Sequence, residues 1–267
     1  KKLETHTIFS TEINRLINKK KLKDFLKQPF IQKMFFVHNK FHIIFLLSNL
    51  YFSKNWSLWK KLIKENSVGG PIPFFCYKQS SGNRIRQVYH LKKFNDIFLI
   101  NLKKIKNVIE IGGGYGCMAS IFKKINNKVN YYIFDTKEVC MLQYYYLNSL
   151  NIKTSLDLGK ERVNLLYDLK DLNKLKQKGL KETLVISNWA LSEMPISLRE
   201  KISPIISNYD YFLISFQTNF EKINNFIYFK RYSKNIKKFF RTYFIEIKSM
   251  NYFKINKHFY FFGMKNK

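Results

Sequence analysis

The chain has 267 residues, of which 46% are hydrophobic and 25% charged, with a formal net charge of +30. This supports a globular protein with a real core, either one large domain or a domain carrying a helical cap, and excludes a disordered chain. Such a charge ordinarily points to nucleic acid or an anionic membrane, but 41 lysines against seven arginines, with abundant Asn, Ile, Phe and Tyr, is the codon bias of an AT-rich genome. Phosphate and base readout would favour arginine forks, so the charge alone does not select nucleic acid. An anionic substrate, or peripheral contact with an envelope membrane, stays open.

Cys76, Cys117 and Cys140 form no C-x-x-C pair and no zinc spacing with histidine, and their odd number suits a reducing, cytoplasmic compartment. Residues 1–70 are predicted helical, with Ile13, Leu16, Ile17, Leu22, Phe25 and Leu26 at helical spacing and Pro29 interrupting. The most apolar window, Met34 to Phe52, contains His38, Asn39, Lys40, His42, Ser48 and Asn49 and reads as a buried helix, with no transmembrane segment. Gly69-Gly70-Pro71-Ile72-Pro73 cannot continue a helix and marks a boundary between a cap, residues 1–70, and a second domain, residues 71–267.

Residues 74–90 read as a polar loop in which Arg84 and Arg86 either grip a carboxylate or phosphate of the substrate or are simply solvated. A helix is predicted over Tyr89–Leu102. Val108-Ile109-Glu110-Ile111 then runs as a strand into Gly112-Gly113-Gly114-Tyr115-Gly116, and helical character resumes at Cys117. Strand, glycine loop and helix together let a ligand lie against backbone and place N–H groups before it, the usual setting for a nucleotide.

A second strand, Val129 to Phe134, ends in Asp135, 23 positions after Gly112. In nucleoside-binding sheets an acid there accepts hydrogen bonds from both ribose hydroxyls. After a helix over Lys137–Leu150, further strands are predicted at Val163–Asp168, Thr183–Ser187 and Tyr209–Phe216. The fourth strand runs into Asn188-Trp189-Ala190-Leu191-Ser192-Glu193-Met194-Pro195, at the carboxyl end where the ligand crevice of an open parallel sheet lies. A basic helix over Phe226–Phe240 and strands around Arg241–Met250 and Phe259–Met264 complete the chain.

The dinucleotide pattern demands a small residue where Cys117 stands, which makes an NAD-dependent oxidoreductase a distant alternative. Acid-x-Gly-x-Gly-x-Gly, read as Glu110, Gly112, Gly114 and Gly116, resembles the first motif of the class I S-adenosylmethionine-dependent methyltransferases. With Gln143-Tyr144-Tyr145-Tyr146-Leu147, Ser187 to Met194 and Ser215-Phe216-Gln217-Thr218, residues 75–265 resemble the sugar O-methyltransferases of bacterial surface-polysaccharide clusters. The resemblance implies an α/β, Rossmann-like fold: a mostly parallel seven-stranded sheet flanked by helices, closed by a late antiparallel hairpin, with a helical N-terminal region.

It also implies S-adenosyl-L-methionine as cofactor, held by Glu110 near the ammonium end, by Gly112, Gly113, Gly114, Tyr115 and Gly116, by Asp135 at the ribose, by Tyr167 and Asp168 near adenine, and by Ser187 and Asn188. The implied reaction is in-line transfer to a hydroxyl of a sugar or glycan precursor. A sugar hydroxyl is too weakly acidic to ionise at neutral pH, so a general base is needed. Glu193 is the first candidate, the alternative being a helix cap, and His90 is the second. Asn188 and Gln217 carry donor and acceptor pairs suited to the acceptor's hydroxyls. No metal is expected, because Glu193 is the one obvious carboxylate beside the fourth strand's tip. An RNA or DNA methyltransferase is a rival reading, weakened by the absence of an Asp/Asn-Pro-Pro-Tyr/Phe stretch after the fourth strand. A non-catalytic cofactor-binding partner in glycan synthesis is another.

Overall fold

The computed structural model describes residues 11–17, 21–248 and 257–266. Its centre is an eight-stranded sheet, labelled here in chain order: β1 (Asn107–Ile111), β2 (Asn130–Phe134), β3 (Thr154–Ser155), β4 (Val163–Leu166), β5 (Thr183–Asn188), β6 (Tyr211–Gln217), β7 (Phe240–Glu246) and β8 (His258–Lys265). The spatial order is β7-β8-β6-β5-β1-β2-β4-β3, with β8 antiparallel to both neighbours and the other pairs parallel. Seven strands follow the expected plan, and the two-residue β3 adds an edge.

The strands are apolar on both faces because both faces are covered. Val108, Ile133, Leu165, Leu184 and Leu213 point into one core, and Ile109, Ile111, Phe134, Val185, Phe212 and Ile214 into the other. The period of two sends successive residues to opposite sides. The first core is closed by the N-terminal helices α1 (Pro29–Phe35), α2 (Lys40–Tyr51) and α3 (Trp56–Ile63), together with α4 (Gly82–Phe98), α5 (Cys117–Ile125) and α6 (Lys137–Ser149). The second is closed by α7 (Leu169–Gln177), α9 (Ile196–Ile206) and α10 (Asn225–Ile236), with the single turn α8 (Ala190–Glu193) between β5 and α9.

Two local expectations are corrected. The window Met34–Phe52 is not one helix: the chain leaves helical geometry after Phe35, and α2 restarts where the Asn39 side chain accepts the His42 N–H at 3.0 Å. The stretch 74–90 is not a polar loop either. Its second half is the first turns of α4, with Ser81 as N-cap accepting the Arg84 N–H at 3.2 Å. Ser-Gly-Asn reads as a turn in isolation, but Ser81 is a cap and a helix follows. The predicted strand over Arg241–Met250 ends at Glu246, and its last two positions lie outside the described residues. Among the described residues no helix is long and apolar enough to cross a membrane.

Strand order reverses between β1 and β5. After β1 the chain builds β2, β4 and β3 on one side, then returns to lay β5 and β6 on the other. Connections diverge from this point and leave a crevice at the carboxyl ends of β1 and β5, where ligands of open α/β sheets bind.

Candidate active site

A cavity of 560 Å³ occupies this crevice, within the range of small-molecule sites. It is lined by the glycine loop and the tip of β2, by Trp189, Ala190 and Glu193 after β5, and by Met34 to Asn39 at the end of α1 and in the link to α2. Gly112 takes φ +76° and a Cβ there would overlap the Ala190 methyl. Gly114 takes φ +54°, and its Cβ would lie 3.4 Å from the Phe35 ring. Positive φ and the close approach of Ala190 and Phe35 are what keep these two cavity-lining positions without a side chain.

Two carboxylates end the adjacent parallel strands β1 and β2. Glu110 is buried, accepts the Tyr131 O–H at 2.8 Å, and has its pKa pushed up to about 8 by burial, with the charge of Asp135 adding to the rise. Asp135 is half-buried and accepts the Thr136 N–H at 2.9 Å and Gln143 Nε2 at 3.2 Å. Burial lifts its pKa to about 7, against the pull of those donors and of the Gly113 and Gly114 N–H groups. Gln143 ties the acid to the loop by donating also to the Gly114 carbonyl at 2.8 Å. A carboxyl that would rather be neutral, above a glycine cradle, is suited to a ligand that brings a positive charge. One acid for an ammonium and one for a pair of hydroxyls fit S-adenosylmethionine.

Across the cavity, Glu193 accepts Gln217 Nε2 at 3.2 Å, and Gln217 Oε1 in turn accepts the Ser192 hydroxyl at 3.1 Å. Trp189 sits at φ +67°, ψ −35°, a conformation few non-glycine residues adopt. It is held there by its N–H to the Ser215 carbonyl at 2.8 Å. Its indole Nε1, a donor only, points 3.2 Å from His258 Nδ1, so that nitrogen accepts and the neutral ring carries its proton on Nε2. Arg86 lies over the same indole, 5.0 Å from the ring centre, and donates from Nη2 to the Phe35 carbonyl at 2.8 Å and to Asn83 at 3.0 Å. It has no carboxylate partner among the described residues, and burial lowers its pKa to about 10.

Of the residues singled out from sequence, Glu110, Gly112, Gly113, Gly114, Tyr115, Asp135, Asn188, Arg86 and Glu193 line the cavity. Asn188 is braced by Ser215 and Gln87 at 2.8 and 3.1 Å. The others are elsewhere. Arg84 is fully buried away from it, bonding the Leu62 carbonyl at 2.8 Å, Ser120 at 3.1 Å and Glu65 at 3.4 Å. His90 is also buried off the cavity, with Nδ1 2.7 Å from the Tyr260 hydroxyl and a pKa driven well below the usual value by burial, so it remains a neutral packing group. Asp168 caps α7 by accepting the Lys170 N–H at 2.8 Å, and Tyr167 beside it is exposed outside the cavity lining. Ser187 accepts the Leu191 N–H at 3.0 Å and donates to Ile111 at 3.1 Å, so it shapes the turn after β5. Gly116 starts α5 against Leu147, and Gln217 reaches the cavity only through Glu193.

Sequence reading missed Phe35, Asn39, Gln87, Trp189 and His258. Trp189 carried a signal, since it lies in the stretch after the fourth strand; His258 and Phe35 carried none. Among the described residues no group of three His, Cys, Asp or Glu could hold a metal ion.

Arg84 gives a test of packing separate from function. Arg84→Met should destabilise the protein by about 3–5 kcal/mol, because Glu65, 10% exposed at its side chain, loses its buried partner. Urea denaturation measures it, and a loss under about 1 kcal/mol would show the pair to be dispensable.

The reversal at β1/β5, the acid-ended β1 and β2, the glycine loop and the closing hairpin stand in one sheet. The fold is of the class I methyltransferase type. No protein-family model and no curated protein sequence matches the chain. Among solved structures it is similar to an rRNA methylase from Streptococcus thermophilus, at 14% identity and a TM-score of 0.48 over 68% of this chain and 98% of that one. It is similar also to a SAM-dependent methyltransferase from Aquifex aeolicus, at 15% identity and a TM-score of 0.44 over 65% of this chain and 86% of that one. A Thermoplasma acidophilum protein aligns at 11% identity and 0.45 over 80% of this chain and 98% of the other. The assignment of fold rests on the strand order.

Proposed function

We propose that the protein is an S-adenosylmethionine-dependent O-methyltransferase whose acceptor is a hydroxyl of a sugar or glycan precursor. The observation that supports this reading is that Glu110 and Asp135, at the ends of adjacent strands, and Glu193, after β5, line one cavity. When bound, the cofactor supplies a methyl group on a positively charged sulfur. Glu110, having released its proton to solvent, would hold the ammonium of the methionine moiety, and Asp135 would accept the ribose hydroxyls. Glu193, held by Gln217, would take the proton of the acceptor hydroxyl as the methyl passes to its oxygen, the carbon–sulfur bond breaking to leave the cofactor as a neutral thioether. Asn188 and the Nε2–H of His258 are the polar groups that orient the acceptor, and Trp189 is its flat apolar wall. Holding both reactants in line contributes much of the acceleration. The segment Met34 to Asn39 acts as part of a cap, since it lines the cavity and Phe35 packs beside the glycine loop.

Calorimetric titration with S-adenosylmethionine, with NAD as control, tests the cofactor. Saturable heat is expected from wild type and none from Gly114→Arg, whose side chain must enter the space between the loop and Phe35. Heat from NAD alone would return the chain to the oxidoreductases. The charge of +30 is the one observation favouring a nucleic-acid acceptor. Methyl transfer to RNA or DNA that falls steeply with salt would establish that reading over the glycan one.

A further inference from the structure

We propose that the outward face of α2 is a docking surface for an anionic phospholipid bilayer. This surface reading is independent of the reaction proposed above. His42, Ile43, Leu46 and Leu50 bury one side of α2 in the core. On the opposite side stand Phe41 and Phe45, four positions apart, with Phe52 just past the helix end as its C-cap; they are 85%, 48% and 83% exposed. A helix apolar on both faces, with only one of them covered, presents an unmet surface. Phe75 extends it: that ring is itself exposed, and the Lys40 ammonium lies 5.5 Å from its centre.

Charge identifies the occupant. From Asp24 to Asp96 the sequence has a single intervening acid, Glu65, and that one is spent on Arg84. Seven lysines lie between Asp24 and Glu65. Of these, Lys33, Lys40 and Lys54 are exposed and have no ion-pair partner among the described residues; Lys40 lies by Phe75, and Lys54 follows Phe52 by two positions. Exposed aromatic side chains rimmed by lysine are the arrangement that enters the headgroup boundary of a bilayer while collecting anionic lipids. A second copy of this chain would bring the same uncompensated lysines against them. A nucleic acid would favour arginine forks, and both arginines of this region, Arg84 and Arg86, are buried. The cavity wall Met34 to Asn39 runs directly into α2, so docking sets that wall beside the lipid headgroups.

Co-sedimentation of the full chain with phosphatidylcholine vesicles, with and without phosphatidylglycerol, tests the proposal. Binding should require the anionic lipid and weaken with salt. Phe41→Ser/Phe45→Ser/Phe52→Ser, all at exposed positions, should keep the wild-type circular dichroism and thermal midpoint while partition falls about tenfold or more. Lys33→Gln/Lys40→Gln/Lys54→Gln should reduce the salt-sensitive part of binding. No binding of wild type to phosphatidylglycerol vesicles would overturn the proposal, as would undiminished binding of the serine variant. So would a wild-type dimer that the serine variant converts to monomer, or a polyuridine complex lost in the serine variant without any vesicle binding.

Discussion

Glu110→Gln is expected to abolish S-adenosylmethionine binding and, in the same molecule, to stabilise the ligand-free protein at alkaline pH. The two effects share one cause. Burial holds the Glu110 pKa at about 8, above the usual 4.3 of an exposed glutamate. Between those values the native state keeps a proton that the unfolded chain has lost, so stability falls as pH rises through this window and levels off above the folded pKa. Glutamine has no proton to lose. Relative to wild type, the variant should gain progressively from about pH 5 to pH 8, reaching on the order of 2–4 kcal/mol, while Tyr131 still has an oxygen to donate to. Denaturant midpoints across that range measure it.

Wild-type affinity for the cofactor should rise with pH towards 8, because an incoming ammonium must displace the Glu110 proton. Calorimetry in buffers of different ionisation enthalpy should register that proton. Equal cofactor affinity in Glu110→Gln, or a wild-type affinity independent of pH, would remove Glu110 from the proposed binding role.

The second large effect is on turnover. Glu193→Gln should lower kcat by about 10²–10⁴-fold if the carboxylate is the base, with cofactor affinity unchanged, since Glu110 and Asp135 are the acids proposed to hold the cofactor. Gln217→Leu should cause a smaller loss, because it removes one hydrogen bond to Glu193 and leaves the carboxylate in place. Single-turnover assays on acceptor hydroxyls separate the chemical step from binding. Full activity in Glu193→Gln would reduce this acid to a group that merely ends α8. His258 would not inherit the role in its present hydrogen bonding, as its Nδ1 lone pair is occupied by Trp189.

The glycine loop and the two acids of the cavity were legible in the chain because their determinants are local, whereas Tyr167, Asp168 and Ser187 lie off the cavity. β1 is apolar through its acid, the glycines follow directly, and Asp135 ends the next strand one helix later. These residues meet because neighbouring parallel strands bring their carboxyl ends together, a consequence of sequence order alone. The acceptor half was not. Arg84 and Arg86 are two residues apart on one helix, and their side chains part company: Arg84 enters the core against Glu65, and Arg86 reaches the cavity under Trp189. His90 looked available and is sealed behind Tyr260, 170 positions away.

By itself, then, the sequence determined the strand–loop–helix unit and the two acids that end its strands, since periodicity and glycine content act within a few residues. Only the tertiary structure decided which polar side chains line the cavity. Phe35 comes from the end of α1, Glu193 from the turn after β5 and His258 from the final hairpin strand, and packing of both sheet faces is what brings such distant residues to one cavity or seals others in the core.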